Sequence, residues 1–267
     1  MISFNWNPEE FQRRRDKYGM LSASTDLLSF SLILDTMPEV DNILELGTYI
    51  GGSLLFMNDV LIHKGVNAKF TAVDDINWAK RFNKFVWYHH ALKSLTYTDK
   101  DTIKNIVDSN SAAEWLNARC LNVTGKSINL RWFLNENDLD NQQYNLIFHD
   151  YGQTKEENTA TIDLCLSKLK ETGIYVIDDF ESGQPYRVLS TVEAMQQGKL
   201  FPILWGERKV YFAKTIEYAQ EFTNMLISNP KLDVTRFAPY VDYTYLGITY
   251  KPIKMNISQL SSTLNPN

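Results

Sequence analysis

The sequence lacks the usual features of a secreted, membrane-spanning or nucleic-acid-binding protein. Only two of its 267 residues are cysteines, Cys120 and Cys165, so no disulfide framework is expected. No apolar run approaches the roughly 20 residues that a membrane-spanning helix needs, and the N-terminus does not resemble a signal peptide. A net charge of -5 gives no electrostatic reason for general nucleic-acid binding. We therefore expect a cytoplasmic protein without a membrane partner.

The apolar residues that are present predict an α/β fold. They make up 44% of the chain, enough for one large domain with additions or for two small ones. Short apolar runs alternate with segments of helical spacing. Strands are predicted at residues 43–46, 68–73, 127–134, 144–148 and 174–177, helices at 8–36, 78–118, 155–170 and 186–198, and a hairpin at 200–213. This order predicts a mostly parallel sheet with helices on both faces and one antiparallel strand near an edge.

A glycine-bearing turn follows the first predicted strand and leads into a helix. Gly47 and Gly51 allow the backbone to bend sharply and leave no side chain where a ligand would approach. The free N–H groups at the start of the helix add a positive partial charge. A dinucleotide-binding turn needs two glycines one residue apart, whereas three residues separate these two. The spacing therefore disfavours a nicotinamide-dependent dehydrogenase.

Acidic side chains follow three of the predicted strands. They are Asp74 and Asp75, then Asp150, then Asp178 and Asp179. Because ligands of an open α/β sheet bind beyond the carboxyl ends of its strands, these acids are expected to lie at one edge. Asp74 is placed to accept hydrogen bonds from the hydroxyls of a ribose. The last three acids offer oxygen ligands without sulfur or imidazole, which suits Mg²⁺, with Mn²⁺ as the alternative.

The spacing Glu-x-Gly-x-x-x-Gly-Gly-Ser, from Glu45 to Ser53, resembles motif I of the class I S-adenosylmethionine-dependent methyltransferases. The resemblance covers about residues 40–214 and implies a Rossmann-like fold with a mostly parallel seven-stranded sheet. It also implies that the turn holds the methionine part of S-adenosylmethionine, that Asp74 holds the ribose, and that the asparagines after the third strand contact adenine. The cofactor-binding residues implied are Glu45, Gly47, Thr48, Tyr49, Gly51, Gly52, Ser53, Asp74, Asp75, Asn135 and Asn137.

A narrower resemblance concerns the second group of acids. Asp150, Asp178 and Asp179 look like the metal-ligand positions of magnesium-dependent O-methyltransferases, a group that includes catechol methyltransferase. The turn at 47–55 is closer to the cephalosporin-hydroxylase-like and sugar O-methyltransferase group. The resemblance implies O-methyl transfer to a small hydroxylated acceptor such as a sugar or polyol. A metal would hold two acceptor oxygens and lower the pKa of the reacting hydroxyl.

The sequence departs from this group at the candidate general base. Related sequences often carry a histidine three residues after the first metal ligand, but here the residue is Gln153, which cannot act as a base. The candidate catalytic residues are therefore Asp150, Gln153 and His149, although strand alternation would point His149 away from Asp150. Two alternatives stay open: a metal-independent small-molecule methyltransferase, and a non-catalytic methyltransferase-like binding or assembly module.

The chain is expected to divide into three parts. Residues 1–39 form an N-terminal helical cap, residues 40–214 the S-adenosylmethionine-binding domain, and residues 215–267 a C-terminal helix followed by a strand or hairpin. Aromatic residues of this extension pack onto the domain, cover the acceptor pocket or form the interface of a homo-oligomer. Packing onto the domain is slightly favoured.

Overall fold

The computed structural model describes residues 8–20, 24–75, 94–180, 184–233 and 236–256. The chain folds into two units, the first comprising Met1–Leu28 and Val40–Gln142 and the second Ser29–Glu39 and Gln143–Asn267. Part of the helix predicted at 78–118, residues 78–93, lies outside the described residues. The three-part division predicted from the sequence stays a prediction.

The first unit carries three parallel strands: β1 (Asn42–Leu46), β2 (Lys69–Val73) and β3 (Asn129–Phe133). They lie side by side in the order β3-β2-β1. Strands β1 and β2 each bury four consecutive residues, which explains why they read as continuous apolar runs rather than as alternating patterns. Its elements are α1 (Pro8–Tyr18), the start of α2 (Ser24–Thr36), β1 (Asn42–Leu46), α3 (Gly52–Lys64), β2 (Lys69–Val73), α4 (Tyr97–Lys104), α5 (Ser109–Thr124) and β3 (Asn129–Phe133).

The second unit carries six strands of the main sheet, in the order β4-β5-β7-β6-β11-β8, and a separate hairpin of β9 and β10. Strand β4 runs parallel to β5, whereas β7 is antiparallel to both β5 and β6. The elements are β4 (Tyr144–His149), α6 (Lys155–Lys168), β5 (Leu169–Ile177), α7 (Pro185–Gln196), β6 (Phe201–Trp205), β7 (Val210–Ala213), α8 (Ile216–Ser228), β8 (Phe237–Pro239), β9 (Tyr243–Tyr245), β10 (Ile248–Tyr250) and β11 (Ile253–Met255).

The α/β class and the mostly parallel sheet are confirmed, but the strand count is corrected. The described residues hold nine main-sheet strands instead of seven. The two additional strands, β8 and β11, have three residues each, too few to show a period of two. An antiparallel strand near one edge was expected, and two are found among the nine described strands: β7 lies between β5 and β6, and β8, at the edge, is antiparallel to β11. No helix in the described part of the chain is long and apolar enough to cross a membrane.

Aromatic residues of the C-terminal extension pack on strand β6 of the same unit. The ring of Tyr245 meets Phe201 edge-on, with centroids 5.2 Å apart, and Tyr240 lies 5.7 Å from Trp205. The Tyr250 hydroxyl donates to a backbone carbonyl of β6 at 2.6 Å. These contacts agree with packing onto the domain, while a role in a homo-oligomer stays a prediction.

Two buried tyrosines of the second unit provide a matched test of core hydrogen bonding. The hydroxyl of Tyr211 lies 2.8 Å from Ser29 Oγ, whereas the buried Tyr218 hydroxyl has no hydrogen-bond partner among the described residues. Tyr211→Phe should lower the free energy of unfolding by about 1–2 kcal/mol, because the buried Ser29 hydroxyl loses a partner. Tyr218→Phe should change it by less than about 0.5 kcal/mol. Urea denaturation measures both, and equal losses would contradict this account.

Candidate active site

The turn between β1 and α3 has the sharp bend that its glycines predict. Gly47 (φ 83°), Tyr49 (φ 49°) and Gly51 (φ 77°) all adopt left-handed conformations. The turn is tied to the neighbouring strand, since the Gly47 N–H donates to the Val73 carbonyl at 2.9 Å. Helix α3 begins without a side-chain cap, so the first amides of the helix are not used by a capping side chain.

Packing within the protein limits substitution at two glycines of this segment. A Cβ on Gly51 would lie 2.6 Å from Leu116 Cδ2, and one on Gly52 would lie 3.1 Å from the Cα of Met20. The space beside the Gly51 Cα is therefore taken by a side chain of α5. The carbonyl oxygen of Gly19 would lie 3.2 Å from the added Cβ of Gly52, so Gly19 also belongs to the surroundings of the turn.

The polar residues predicted to bind the cofactor form local pairs. The Tyr49 N–H donates to Asp74 Oδ2 at 2.7 Å, and the buried Glu45 carboxylate accepts from the Ser53 hydroxyl. Thr48 is 2% exposed, and its hydroxyl has no partner among the described residues. A buried hydroxyl without a partner fits a turn that receives a polar ligand, because such a group is otherwise costly.

The remaining predicted cofactor residues lie at the surface of the first unit. Asp75 is exposed, and so are Asn135 and Asn137. The Asn135 side-chain oxygen accepts from the Asn137 backbone N–H at 2.9 Å and so caps a short 3₁₀ helix, Glu136–Asp138. Their proposed contact with adenine stays a prediction.

In the second unit, acids that follow β4 and β5 lie within electrostatic reach of one another. The strand ends are joined by a hydrogen bond from the Asp178 N–H to the His149 carbonyl at 3.0 Å. Each of the three carboxylates contacts a basic side chain of the same unit: Asp150 with Arg187 at 2.9 Å, Asp178 with Lys209 at 2.6 Å, and Asp179 with Arg208. The acid cluster is therefore balanced by three cations.

Sequence reasoning missed these cations. Arg208 and Lys209 lie in the β6–β7 hairpin, where the Gly206 N–H donates to the Lys209 carbonyl at 2.8 Å. The hairpin predicted at 200–213 carried no functional assignment. Arg187 lies in the first turn of α7 and also donates to the Asp178 carbonyl at 2.8 Å. Lys209 is fully buried, with Nζ 5.2 Å from the ring centroid of Phe148. The sequence signal that could have indicated these cations was the pair of adjacent basic residues, Arg208 and Lys209, in the predicted hairpin.

The arrangement does not fit the predicted metal site. The described residues contain no group of three or more His, Cys, Asp or Glu side chains placed to hold a metal ion. A divalent ion at Asp150, Asp178 and Asp179 would have to share these carboxylates with Arg187, Lys209 and Arg208, each of which contacts one carboxylate oxygen. It would also lie near the buried positive charge of Lys209, which is unfavourable.

Asp150 is the most exposed acid of the cluster. Its side chain is 37% exposed, against 23% for Asp179 and 10% for Asp178. The pKa of Asp150 is raised to about 6, first because the surrounding protein displaces water from the carboxyl and then because of the negative charge of Asp178. The adjacent Arg187 offsets part of this rise.

His149 is a structural residue in this fold, which corrects its candidacy as a general base. Its Nε2 lies 2.8 Å from the Tyr151 carbonyl and its Nδ1 2.5 Å from the Tyr175 hydroxyl. Because a carbonyl only accepts, Nε2 carries the proton and Nδ1 accepts from Tyr175. Burial, followed by the charge of Arg187, lowers the pKa of His149 to about 3. Gln153 has an exposed side chain, and its backbone N–H donates to Glu157 at 2.8 Å.

Comparison with known proteins identifies the family. A family model described as "Methyltransferase domain" matches residues 44–180, just over half of the 267-residue chain. The chain belongs to this methyltransferase family. It is a class I, Rossmann-like methyltransferase that uses S-adenosylmethionine. A sequence comparison with curated proteins found no match.

The solved structure of one methyltransferase supports the fold, and two others show a weaker similarity. The O-methyltransferase NovP superposes with a TM-score of 0.50 at 14% identity, over 72% of this chain and 81% of NovP. CalS11, a TDP-rhamnose 3'-O-methyltransferase of calicheamicin biosynthesis, is 14% identical over 79% of this chain and 88% of its own, with a TM-score of 0.49. TomG from Streptomyces achromogenes, solved with S-adenosylmethionine, is 10% identical over 80% of this chain and 92% of its own, with a TM-score of 0.43.

Gly51, in the turn before α3, and Gly65, at the end of α3, allow the cost of a left-handed backbone to be measured apart from the cost of a steric overlap. Gly51 and Gly65 have nearly equal φ values, 77° and 79°, but a Cβ on Gly65 would meet nothing within 4 Å. Gly65→Ala should cost only the left-handed conformation, about 1–2 kcal/mol. Gly51→Ala should lose about 1–3 kcal/mol more, because its Cβ overlaps Leu116. Denaturant unfolding compares the two variants, and equal losses would show that packing does not require Gly51.

Proposed function

We propose that this methyltransferase transfers a methyl group to a hydroxyl oxygen of a small hydroxylated acceptor, such as a sugar or polyol. The observation that carries the proposal is the cluster of Asp150, Asp178 and Asp179, in which Asp150 is partly open to solvent. Carboxylates and basic side chains together offer acceptors and donors to a hydroxyl-rich ligand. The resemblance of the turn at 47–55 to the sugar O-methyltransferase group supports the same acceptor class.

S-adenosylmethionine supplies an activated methyl group on a sulfonium, and the transfer is a direct displacement. The protein has to position the acceptor hydroxyl and remove its proton. In our proposal, Asp74 accepts hydrogen bonds from the ribose hydroxyls of the cofactor, and Thr48 bonds a polar group of its methionine part. Asp150 accepts the hydrogen bond and the proton of the acceptor hydroxyl, while Arg187 holds the carboxyl in place.

We further propose that the reaction proceeds without a resident divalent metal. The predicted Mg²⁺ site, or its Mn²⁺ alternative, has suitable oxygen donors in Asp150, Asp178 and Asp179. One oxygen of each carboxylate contacts a basic side chain, that of Arg187, Lys209 or Arg208. The three basic side chains therefore balance the negative charge of the acids, and no metal is needed for that purpose.

Asp74 and Asp75 form a matched pair for testing cofactor binding. Asp74→Ala should weaken binding of S-adenosylhomocysteine, the demethylated cofactor, by about 10- to 100-fold, since one acidic group bonds both ribose hydroxyls. The resemblance also implies Asp75 as a cofactor-binding residue, but we propose that Asp74 alone holds the ribose, because Asp75 is exposed. Asp75→Ala should therefore alter the dissociation constant by less than about twofold. Isothermal titration calorimetry measures both variants against the wild type. Normal binding by Asp74→Ala would disprove the ribose assignment.

Metal titration tests the charge balance of the acid cluster. Because the acids already have cationic partners, about 5 mM Mg²⁺ should move the melting temperature of the wild type by less than about 1 °C. Arg208→Gln removes the cation that pairs with Asp179 and should tighten Mg²⁺ binding by about tenfold or more. The control Arg236→Gln breaks a 3.3 Å ion pair with Asp233 outside the cluster and should have no such effect. If the wild type binds Mg²⁺ at micromolar concentration and Asp150→Asn abolishes this binding, the metal site predicted from the sequence is supported instead.

The non-catalytic alternative makes a different prediction from the enzymatic one. A binding or assembly module would retain affinity for S-adenosylhomocysteine but would not consume S-adenosylmethionine with any acceptor. Incubation with labelled S-adenosylmethionine and a panel of sugars, polyols and catechols separates the two. Methylated product that disappears in Asp150→Asn supports the proposed function.

A further inference from the structure

We infer that Arg119 is a positioning residue for the cofactor turn, and that cofactor affinity depends on the hydrogen bond from its guanidinium to the Ile50 carbonyl. The inference rests on the proposed role of the turn in binding S-adenosylmethionine. It concerns the first unit alone, and Arg119 is not among the residues that the sequence pattern selected.

The contacts of Arg119 join three separate segments of the first unit. From helix α5, its Nη1 donates to the Ile50 carbonyl at 3.1 Å. Its Nη2 donates to the Tyr18 carbonyl and to the Ser94 hydroxyl, both at 2.9 Å. Ile50 lies in the turn between Tyr49 and Gly51, and Tyr18 is the last residue of α1. One guanidinium therefore holds the turn and the end of α1 at fixed separation.

Arg119 is a buried cation whose hydrogen-bond partners carry no charge. The side chain is 2% exposed, and in the described part of the chain no carboxylate forms an ion pair with it. Its hydrogen-bond partners are two carbonyl oxygens and a hydroxyl, and its guanidinium lies 5.9 Å from the centroid of the Trp115 ring. Its Nε has no hydrogen-bond partner among the described residues. Burial lowers the pKa of Arg119 to about 10, with partial compensation from the charge of Asp99, so the group stays charged at neutral pH. A buried cation is costly unless its hydrogen bonds are well placed.

Packing on the two glycines couples the same segments. Leu116 lies one helical turn before Arg119 on α5 and fills the space beside Gly51. On the other side, Gly19 and Met20, which follow Tyr18, lie against Gly52 at the start of α3. Met20 is buried. Loss of the guanidinium would release the Ile50 carbonyl between two left-handed residues, where a change of φ and ψ would move the amides that face the ligand.

Arg14 provides a matched control because it also fixes α1 to the first unit. It lies on α1, pairs with Glu10 at 2.8 Å, and contacts Asp59 of α3. Neither partner is in the turn. Arg14→Gln should therefore loosen the docking of α1 without removing the hydrogen bond to Ile50.

The test measures affinity for S-adenosylhomocysteine by calorimetry and stability by urea denaturation. Arg119→Met should weaken binding by about tenfold or more, because both carbonyl contacts are lost. Arg119→Lys keeps the charge and one carbonyl contact, so its affinity should fall between those of Arg119→Met and the wild type. Arg14→Gln should lose stability while keeping its affinity within about twofold.

Amide hydrogen exchange supplies a second readout if Arg119→Met folds poorly. Exchange at Gly51 and Gly52 should be faster in Arg119→Lys than in Arg14→Gln at equal global stability. Equal loss of affinity in the Arg14 and Arg119 variants would overturn the inference, as would wild-type affinity in Arg119→Met. A wild-type protein that does not bind S-adenosylhomocysteine would instead disprove the proposed function, and the inference with it.

Discussion

A carboxylate that loses water must gain a positive charge or a hydrogen-bond donor, and this constraint shapes both units of the methyltransferase. In the first unit, Asp74 accepts a hydrogen bond from the Tyr49 N–H, and one oxygen of the Glu45 carboxylate accepts from the Ser53 hydroxyl. In the second unit, each acid after β4 and β5 meets a cation.

These contacts matter for the chemistry. A carboxylate oxygen that accepts one hydrogen bond can still accept others from hydroxyls, as a ribose site requires. An acid balanced by arginine or lysine has less attraction for a divalent ion, because the neighbouring cation already balances its charge and repels the ion. The fully buried Lys209 adds to this repulsion. Our proposal of metal-free O-methyl transfer follows from that electrostatic balance.

Two buried arginines donate hydrogen bonds to backbone carbonyl oxygens and so connect separate segments of each unit. Arg187 joins the ends of β4 and β5 through the Asp150 carboxylate and the Asp178 carbonyl. Arg119 joins the cofactor turn to the end of α1 through two carbonyl oxygens. In both cases a planar group with several donors reaches oxygens from segments that are distant in sequence. Neither arginine belongs to a pattern of apolar spacing, so sequence reasoning gave no reason to select them.

The sequence by itself determined the α/β class, the hairpin and the location of the glycine turn, because apolar periodicity and glycine are local signals. It also placed the acids at strand ends, since that depends only on where each apolar run stops. Tertiary structure alone decided what those acids contact, that His149 uses both ring nitrogens inside the protein, and that Leu116 and Met20 fill the space beside Gly51 and Gly52. These outcomes depend on residues brought together from distant parts of the chain, which no local pattern encodes.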